Sequence, residues 1–201
     1  GAVVNTDAAI VARALSELGI DLLHTCVVGD NPARLKEAVE TAIRRSDLLV
    51  MTGGLGPTTD DLTKETVAKV CGRPLYLHEP SKKAIEAFFA HRGMEPTDNN
   101  WKQAMLPEGA VAMVNNNGTA PGIILETEEA KVILLPGPPN ELHPMFEESV
   151  APYLESLNSQ VICSQTVKIC GVGESKAETM VKDLIEGQTN PTIATYAKTG
   201  E

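Results

Sequence analysis

A doubly wound α/β domain, with a mostly parallel sheet sandwiched by helices, is predicted by three features of the sequence. Helical stripes alternate with short apolar runs along residues 1–157. Two of those runs, 48–51 and 132–135, are continuously aliphatic, as expected of parallel strands covered on both faces. Both lead directly into loops rich in glycine and proline, at the end of the sheet where such folds bind ligands.

Each element has a local reason. Asn5 or Thr6 can cap a first helix whose Ile10, Val11, Ala14, Leu15 and Leu18 share one face, and Gly19 supplies its left-handed stop. Residues 22–28 read as a short strand. Asp30 and Asn31 with Pro32 start a second helix, with Leu35, Ala38, Val39, Ala42 and Ile43 as its apolar stripe. After the strand at 48–51, a third helix runs from near Leu62 to Gly72. Helices over 81–92 and 99–105 follow. Strands at 111–114 and 123–126 flank the turn-rich stretch 115–122, and the strand at 132–135 ends in Pro136-Gly137-Pro138-Pro139. The next helix is expected to start near Pro144 and to kink or end at Pro152. Beyond Leu157 a strand at 160–169, a turn at Gly171 to Gly173 and a helix over 174–185 mark a second small unit. The expected division is therefore 1–157 and 158–201.

Composition narrows the function. The 201 residues are 42% hydrophobic, enough for one good core, and only 3% aromatic, so aliphatic side chains must fill it. A formal net charge of −10 argues against a nucleic-acid-binding surface. A small anionic ligand stays compatible, because local backbone N–H groups outweigh a diffuse distant charge. Cys26, Cys71, Cys163 and Cys170 form no Cys-x-x-Cys pair and sit in apolar stretches, which predicts buried free thiols in a reducing cytosol. No apolar run approaches the ~20 residues that span a bilayer, and no signal peptide is visible, so the expectation is a cytoplasmic protein without a membrane partner.

The segment richest in chemistry is Thr52-Gly53-Gly54-Leu55-Gly56-Pro57-Thr58-Thr59-Asp60-Asp61. Its three glycines let the backbone approach a ligand closely, and Thr58, Thr59 and Asp60 fall where the next helix begins, facing a phosphate with free N–H groups. Adjacent carboxylates at Asp60 and Asp61 would repel that phosphate unless a hard cation such as Mg²⁺ bridged them. The alternative is that Asp60 caps the helix, Asp61 is a first-turn charge and the glycines form only a tight turn. No Gly-Lys-Ser/Thr follows, so this is not a Walker loop, and Thr59 breaks a dinucleotide fingerprint. Pro136, Gly137 and Pro138 should reach the same rim of the sheet. Gly118 and Thr119 belong to a site loop or a surface hairpin. Asn100 and Lys102 could grip ribose or phosphate, or lie on a solvated helix face.

Thr52 to Thr63 resembles the Thr-Gly-Gly-x-Gly-Pro-x-x-x-Asp-x-Thr motif of the molybdopterin-binding fold shared by MogA, MoaB and gephyrin-type proteins. Asp61 matches that family's acidic residue beside its pterin nucleotide, whereas Asp60 stands where arginine is frequent. The form Gly-Gly-Leu-Gly-Pro-Thr-Thr-Asp-Asp-Leu-Thr is similar to the CinA (competence/damage-inducible) family. So are Asp30-Asn31, Asn99-Asn100 with Lys102-Gln103, Gly118-Thr119-Ala120-Pro121-Gly122, Leu135 to Pro139, Gly171-x-Gly173-Glu174-Ser175 and Gln188 to Ala194. The resemblance implies a three-layer αβα domain followed by the beginning of a KH-type α/β domain. It places the family's opening strand and a Gly-Thr-Glu-Leu turn before Gly1, and it gives no reason to expect the amidohydrolase activity of a further C-terminal domain.

For function the resemblance implies metal-dependent hydrolysis of ADP-ribose to AMP and ribose 5-phosphate. Mg²⁺ or Co²⁺ would sit at Asp60 and Asp61, with K⁺ as a further ion. Lys102 would stabilise charge on the leaving phosphate, and Asp30 would border the site. The second reading is a non-catalytic module that binds a nucleotide or molybdopterin. Self-association as a dimer or trimer is expected from related folds.

Overall fold

The computed structural model describes residues 4–157 and 165–196. The chain divides into two compact units, 1–162 and 163–201.

In the first unit a four-stranded sheet runs in the order β1-β6-β5-β4. The strands are β1 (Leu48–Thr52), β4 (Val111–Met113), β5 (Gly122–Glu126) and β6 (Lys131–Leu135). β1 lies parallel to β6, with Thr52 opposite Leu135. β5 is antiparallel to β6, and β4 to β5. The α/β class holds, but the described sheet is mixed rather than mostly parallel. The connections 114–121 and 127–130 are too short for a crossover, so β4, β5 and β6 must alternate in direction.

Alternation along the central strands builds two cores. Ile124, Ile133 and Leu135 face one layer, where Val11 and Leu15 of α1 (Thr6–Glu17) meet Leu142 and Met145 of α5 (Pro139–Met145) and Leu154 of α6 (Ala151–Leu157). Ile123, Leu125, Val132 and Leu134 face the other, against Val39 and Ile43 of α2 (Pro32–Arg45) and Val67 of α3 (Thr63–Val70). This is the three-layer αβα arrangement. Asn5 caps α1 by accepting from Ala8 N at 3.0 Å, and Asn31 caps α2 through Ala33 N and Arg34 N, with Pro32 at the first helical position.

β1 departs from expectation. Residues 48–51 are only half-buried, because β1 is a sheet edge whose outer side faces a cleft of about 1110 Å³. The expected strand at 22–28 lies across that cleft and joins no ladder among the described residues. Leu23 and Val27 are accordingly 70% and 79% exposed.

Between β1 and β4 the chain makes an excursion. β2 (Leu75–Leu77) pairs antiparallel with β3 (Met105–Pro107), enclosing α4 (Glu79–His91) and a 3₁₀ helix, Asp98–Ala104. The expected helix start near Pro144 is corrected to Pro139. The Pro138 carbonyl accepts from Glu141 N and Leu142 N, and proline is tolerated at the first position. Pro144 sits inside α5, and the chain passes through one π-helical turn, Phe146–Val150, into α6. Lacking an N–H, Pro144 leaves the Asn140 carbonyl free, and Asn117 Nδ2 donates to it at 3.0 Å. Pro152 falls at the second residue of α6 and does not end it.

In the second unit the expected helix over 174–185 is broken at Val181 into α7 (Glu174–Met180) and α8 (Lys182–Glu186). The expected strand at 160–169 lies outside the described residues as far as 164, and 165–169 takes no regular structure. The buried-thiol expectation fails for Cys26 and Cys170, which are exposed, and holds in part for half-buried Cys71, whose pKa burial raises. Cys163 lies outside the described residues. No helix among the described residues is long and apolar enough to cross a membrane.

Gly122 leaves room for two methionines of one core, Met113 and Met145. A Cβ there would meet Met145 Sδ at 2.3 Å, Met113 Cε at 2.7 Å and the Leu134 carbonyl at 3.2 Å. The methionine tips can yield and the carbonyl cannot. Gly122→Ala should therefore lower stability by about 1–3 kcal/mol in urea denaturation, a cost of overpacking.

Candidate functional site

One rim of the sheet collects the predicted loops. The parallel β1–β6 register brings both C-terminal ends to the same edge, and the ladder continues past it, with Gly53 N donating to the Leu135 carbonyl at 2.9 Å. Gly137 lies beside Gly53, and a Cβ on it would make an ordinary van der Waals contact with Gly53 Cα at 3.4 Å. Met113 pairs with Gly122 and Ile123 with Leu134, so the turn carrying Gly118 and Thr119 opens at this rim too. It is tied there by Glu141: Asn115 Nδ2 donates to Glu141 Oε2 at 2.6 Å and to the Ala120 carbonyl at 2.8 Å. A side chain on Gly118 would strike that same carboxylate.

The glycine loop has its own geometry. Gly53 and Gly54 take φ of 83° and 70°, and a Cβ on Gly54 would collide with Thr63 Oγ1. Thr63 N donates back to the Gly54 carbonyl at 3.2 Å, which closes the loop over the start of α3. Neither aspartate caps that helix: its N-cap is Leu62, with no side-chain bond. Asp61 instead folds back onto Thr58. Its Oδ2 accepts from Thr58 N at 2.9 Å and lies 2.6 Å from Thr58 Oγ1. A Cβ on Gly56 would fall 2.4 Å from Asp61 Oδ2, so glycine leaves the carboxylate its place.

Asp60 Oδ1 approaches the same Thr58 hydroxyl. A hydroxyl carries one proton, so it can donate to only one of two carboxylates. The other oxygen meets it lone pair to lone pair. The hydrogen bond from Thr58, and next the backbone N–H of Asp60 itself, hold the Asp60 carboxyl below the usual carboxylate range. Three oxygen atoms thus converge with a shortage of positive charge among them. Among the described residues no group of three or more His, Cys, Asp or Glu is placed to hold a metal ion. Mg²⁺ sites commonly use one or two carboxylates, with phosphate oxygens and water supplying the rest.

Two lysines lie behind the loop. Lys102 Nζ donates to the Thr58 carbonyl at 2.6 Å and to the Asp61 carbonyl. Lys64, only 3% exposed, donates to the backbone carbonyl of Lys102. Burial lowers its pKa to about 8. Glu65 Oε1 stands 3.9 Å from each ammonium, and Glu65 Oε2 is buried without a hydrogen-bond partner.

The fold therefore gathers Thr52, Gly53, Gly54, Gly56, Pro57, Thr58, Thr59, Asp60, Asp61, Pro136, Gly137, Pro138, Gly118 and Thr119 along one rim. Asp30 lines the cleft together with Gly53, Gly54 and Asp60. Asn100 is turned inward. It is 7% exposed, and its Oδ1 accepts from Thr97 N at 2.8 Å, reinforcing the 3₁₀ helix. Sequence reasoning missed Lys64, Glu65, Asn115 and Glu141. A signal existed for Lys64, which occupies the i position of a Lys64, Val67, Ala68, Cys71 stripe where an apolar residue belongs. The Asn115–Glu141 link spans 26 residues and left no local trace.

Residues 1–156 match the family described as "Probable molybdopterin binding domain", and residues 164–201 match "Damage-inducible protein CinA KH domain". A CinA-like protein of Dictyoglomus turgidum is 53% identical over 201 residues, covering all of this chain and 49% of its own length. One from Dictyoglomus thermophilum is 54% identical over the same span. The chain thus spans about half the length of these curated relatives. A solved CinA structure from Thermoplasma acidophilum superposes with a TM-score of 0.69 at 34% identity, covering 75% of this chain and 88% of that one. Molybdenum cofactor biosynthesis protein B shares the fold, at 15% identity and a TM-score of 0.50 over 76% of this chain and 83% of its own.

Lys64 gives the site a pH signature. Its pKa is about 8 in the folded chain against an ordinary 10.5, so between those values the unfolded chain binds more protons. Stability relative to Lys64→Met should be flat below pH 8 and rise up to 10.5, by at most about 3 kcal/mol. Paired urea titrations across that window measure it.

Proposed function

Because this chain belongs to the molybdopterin-binding-domain family, in the CinA-like form that continues into a CinA KH domain, we propose that its rim site hydrolyses a nucleotide diphosphate such as ADP-ribose with a divalent cation. The observation that carries the reading is the convergence of Thr58 Oγ1, Asp60 Oδ1 and Asp61 Oδ2 at the end of a glycine loop. These are hard oxygen donors, and the donor set suits Mg²⁺ or Co²⁺ better than an anion. A phosphate placed directly on them would be repelled.

When bound, a divalent ion would polarise phosphorus and lower the pKa of an attacking water. The chain's own residues do the rest. Thr52, Gly53 and Gly54 leave room for a diphosphate to approach the backbone, since two of them carry no side chain and the loop is closed from behind by Thr63. Pro136, Gly137 and Pro138 would give the loop beside Gly53 a fixed shape, and the Asn115–Glu141 bond ties the turn of Gly118 and Thr119 at the same rim. Asp30, which lines the same cleft, would accept from a ribose hydroxyl. K⁺ and a dimeric or trimeric assembly belong to the same reading, and light scattering with and without K⁺ addresses both.

A second reading, a binding module without turnover, is favoured by one observation. Lys102 Nζ is committed to loop carbonyls, which removes the cation that was expected to steady the leaving phosphate.

The deciding assay incubates the protein with ADP-ribose and Mg²⁺ or Co²⁺ and follows AMP. Asp61→Asn keeps shape and hydrogen bonding while removing charge, so AMP formation should fall about 100-fold or more with a melting temperature changed little in the absence of metal. Undiminished turnover at limiting Mg²⁺ would end the metal assignment. ADP-ribose binding with no AMP from the wild-type protein would favour the binding module.

A further inference from the structure

The Lys102 side chain reaches back 44 residues along the chain to the turn that carries the aspartates. Its ammonium has three donors and no acceptor. It meets the Thr58 carbonyl at 2.6 Å, the Asp61 carbonyl, and, at 3.9 Å, Glu65 Oε1. All three oxygens belong to residues 58–65. Such a cage of carbonyl and carboxylate oxygens is the environment of a small monovalent cation. We propose that Lys102 is a positioning residue whose ammonium acts as a built-in monovalent cation, holding the turn between Thr58 and Asp61 closed so that the two carboxylates meet at Thr58.

Remove the ammonium and the Thr58 and Asp61 carbonyls face each other and Glu65 with one fewer donor. One long backbone bond, from the Asp61 N–H to the Thr58 carbonyl at 3.3 Å, then bridges the turn beside the bonds that the Asp61 carboxylate accepts from Thr58. Carbonyl dipoles that converge without a donor separate, because an unsatisfied acceptor is costly to keep out of water. Opening the turn pulls Asp61 Oδ2 away from Thr58 N, to which it is bonded at 2.9 Å. Lys64 supports the arrangement from the other side. Buried and donating to the Lys102 carbonyl, it fixes the backbone from which Lys102 reaches out. The two lysines are thus used in series, one on the main chain of the 3₁₀ helix and one on the glycine loop.

The proposal rests on Asp60 and Asp61 being the working carboxylates of the site, and it differs from a role for Lys102 on the ligand. Hydrogen exchange at the Thr58 amide, read by NMR on the protein without metal or nucleotide, separates the two. In Lys102→Ala and Lys102→Met this amide should exchange about tenfold or more faster than in the wild type. Methylammonium should slow it again in Lys102→Ala, where truncation leaves room, and not in Lys102→Met, where the side chain fills the space. Wild-type exchange in both variants, or no response of Lys102→Ala to methylammonium, overturns the proposal. If Lys102→Ala does not fold alone, recovery of its fold with methylammonium supports the proposal and failure to recover overturns it. A wild-type protein that makes no AMP from ADP-ribose would sink the hydrolase reading and leave this exchange result standing.

Discussion

The parallel pairing of β1 with β6 is the constraint from which the site follows. Antiparallel neighbours would send the loops after Thr52 and Leu135 to opposite ends of the sheet. In the observed register Thr52 stands beside Leu135, and the next backbone bond, Gly53 N to the Leu135 carbonyl, already belongs to the loop. The two loops then start side by side, with a Cβ on Gly137 reaching van der Waals contact with Gly53 Cα, while Gly53 owes its glycine to a φ of 83°. The hairpin from β4 to β5 needs no further device, because an antiparallel strand beside β6 must begin where β6 ends. Three loops reach one rim for reasons set in the buried middle of the sheet, by Val132, Ile133, Leu134 and Leu135, none of which is accessible to solvent.

Charge on that rim is partly offset locally, within a chain of formal net charge −10. Asp60, Asp61 and Glu65 are set against Lys64 and Lys102, but the positive groups sit behind the loop and touch carbonyls. The front, where Asp60 and Asp61 crowd one threonine hydroxyl, keeps an excess of negative charge. That division separates two jobs. The lysines hold the backbone through its carbonyls, and the Asp60 and Asp61 carboxylates stay on the loop's other side with Thr58. It also explains why Gly56 is glycine: the Asp61 carboxylate occupies the space its side chain would need.

Much of this was legible in the sequence. The caps at Asn5 and Asn31, the stripes of α1 and α2 and the two-sided burial of β6 follow from local patterns, and the strand-to-glycine handover located the rim. What could not be read was non-local. Direction in the sheet depends on connection lengths, so β5 and β6 alternate where a parallel run was expected. The burial of β1 depends on what lies beside its outer edge, and there the chain leaves a cleft. Pro144 looked like a helix start because proline favours that position. Asn117, far away in sequence, supplies the hydrogen bond that lets it sit inside the helix. The polarity of Asn100 and Lys102 fits either ligand contacts or a solvated helix face, and the fold turns one inward and the other onto the loop.

In the proposed function, Asp60 and Asp61 together recruit a divalent cation at the end of the glycine loop. Paramagnetic Mn²⁺, added below one equivalent to isotopically labelled protein, tests this by broadening the backbone amides nearest to it. Thr58, Asp60 and Asp61 should broaden first, ADP-ribose should sharpen this preference, and Asp61→Asn should abolish it. Broadening centred on another acidic stretch, such as Glu128 and Glu129, with the loop amides unaffected, would contradict it.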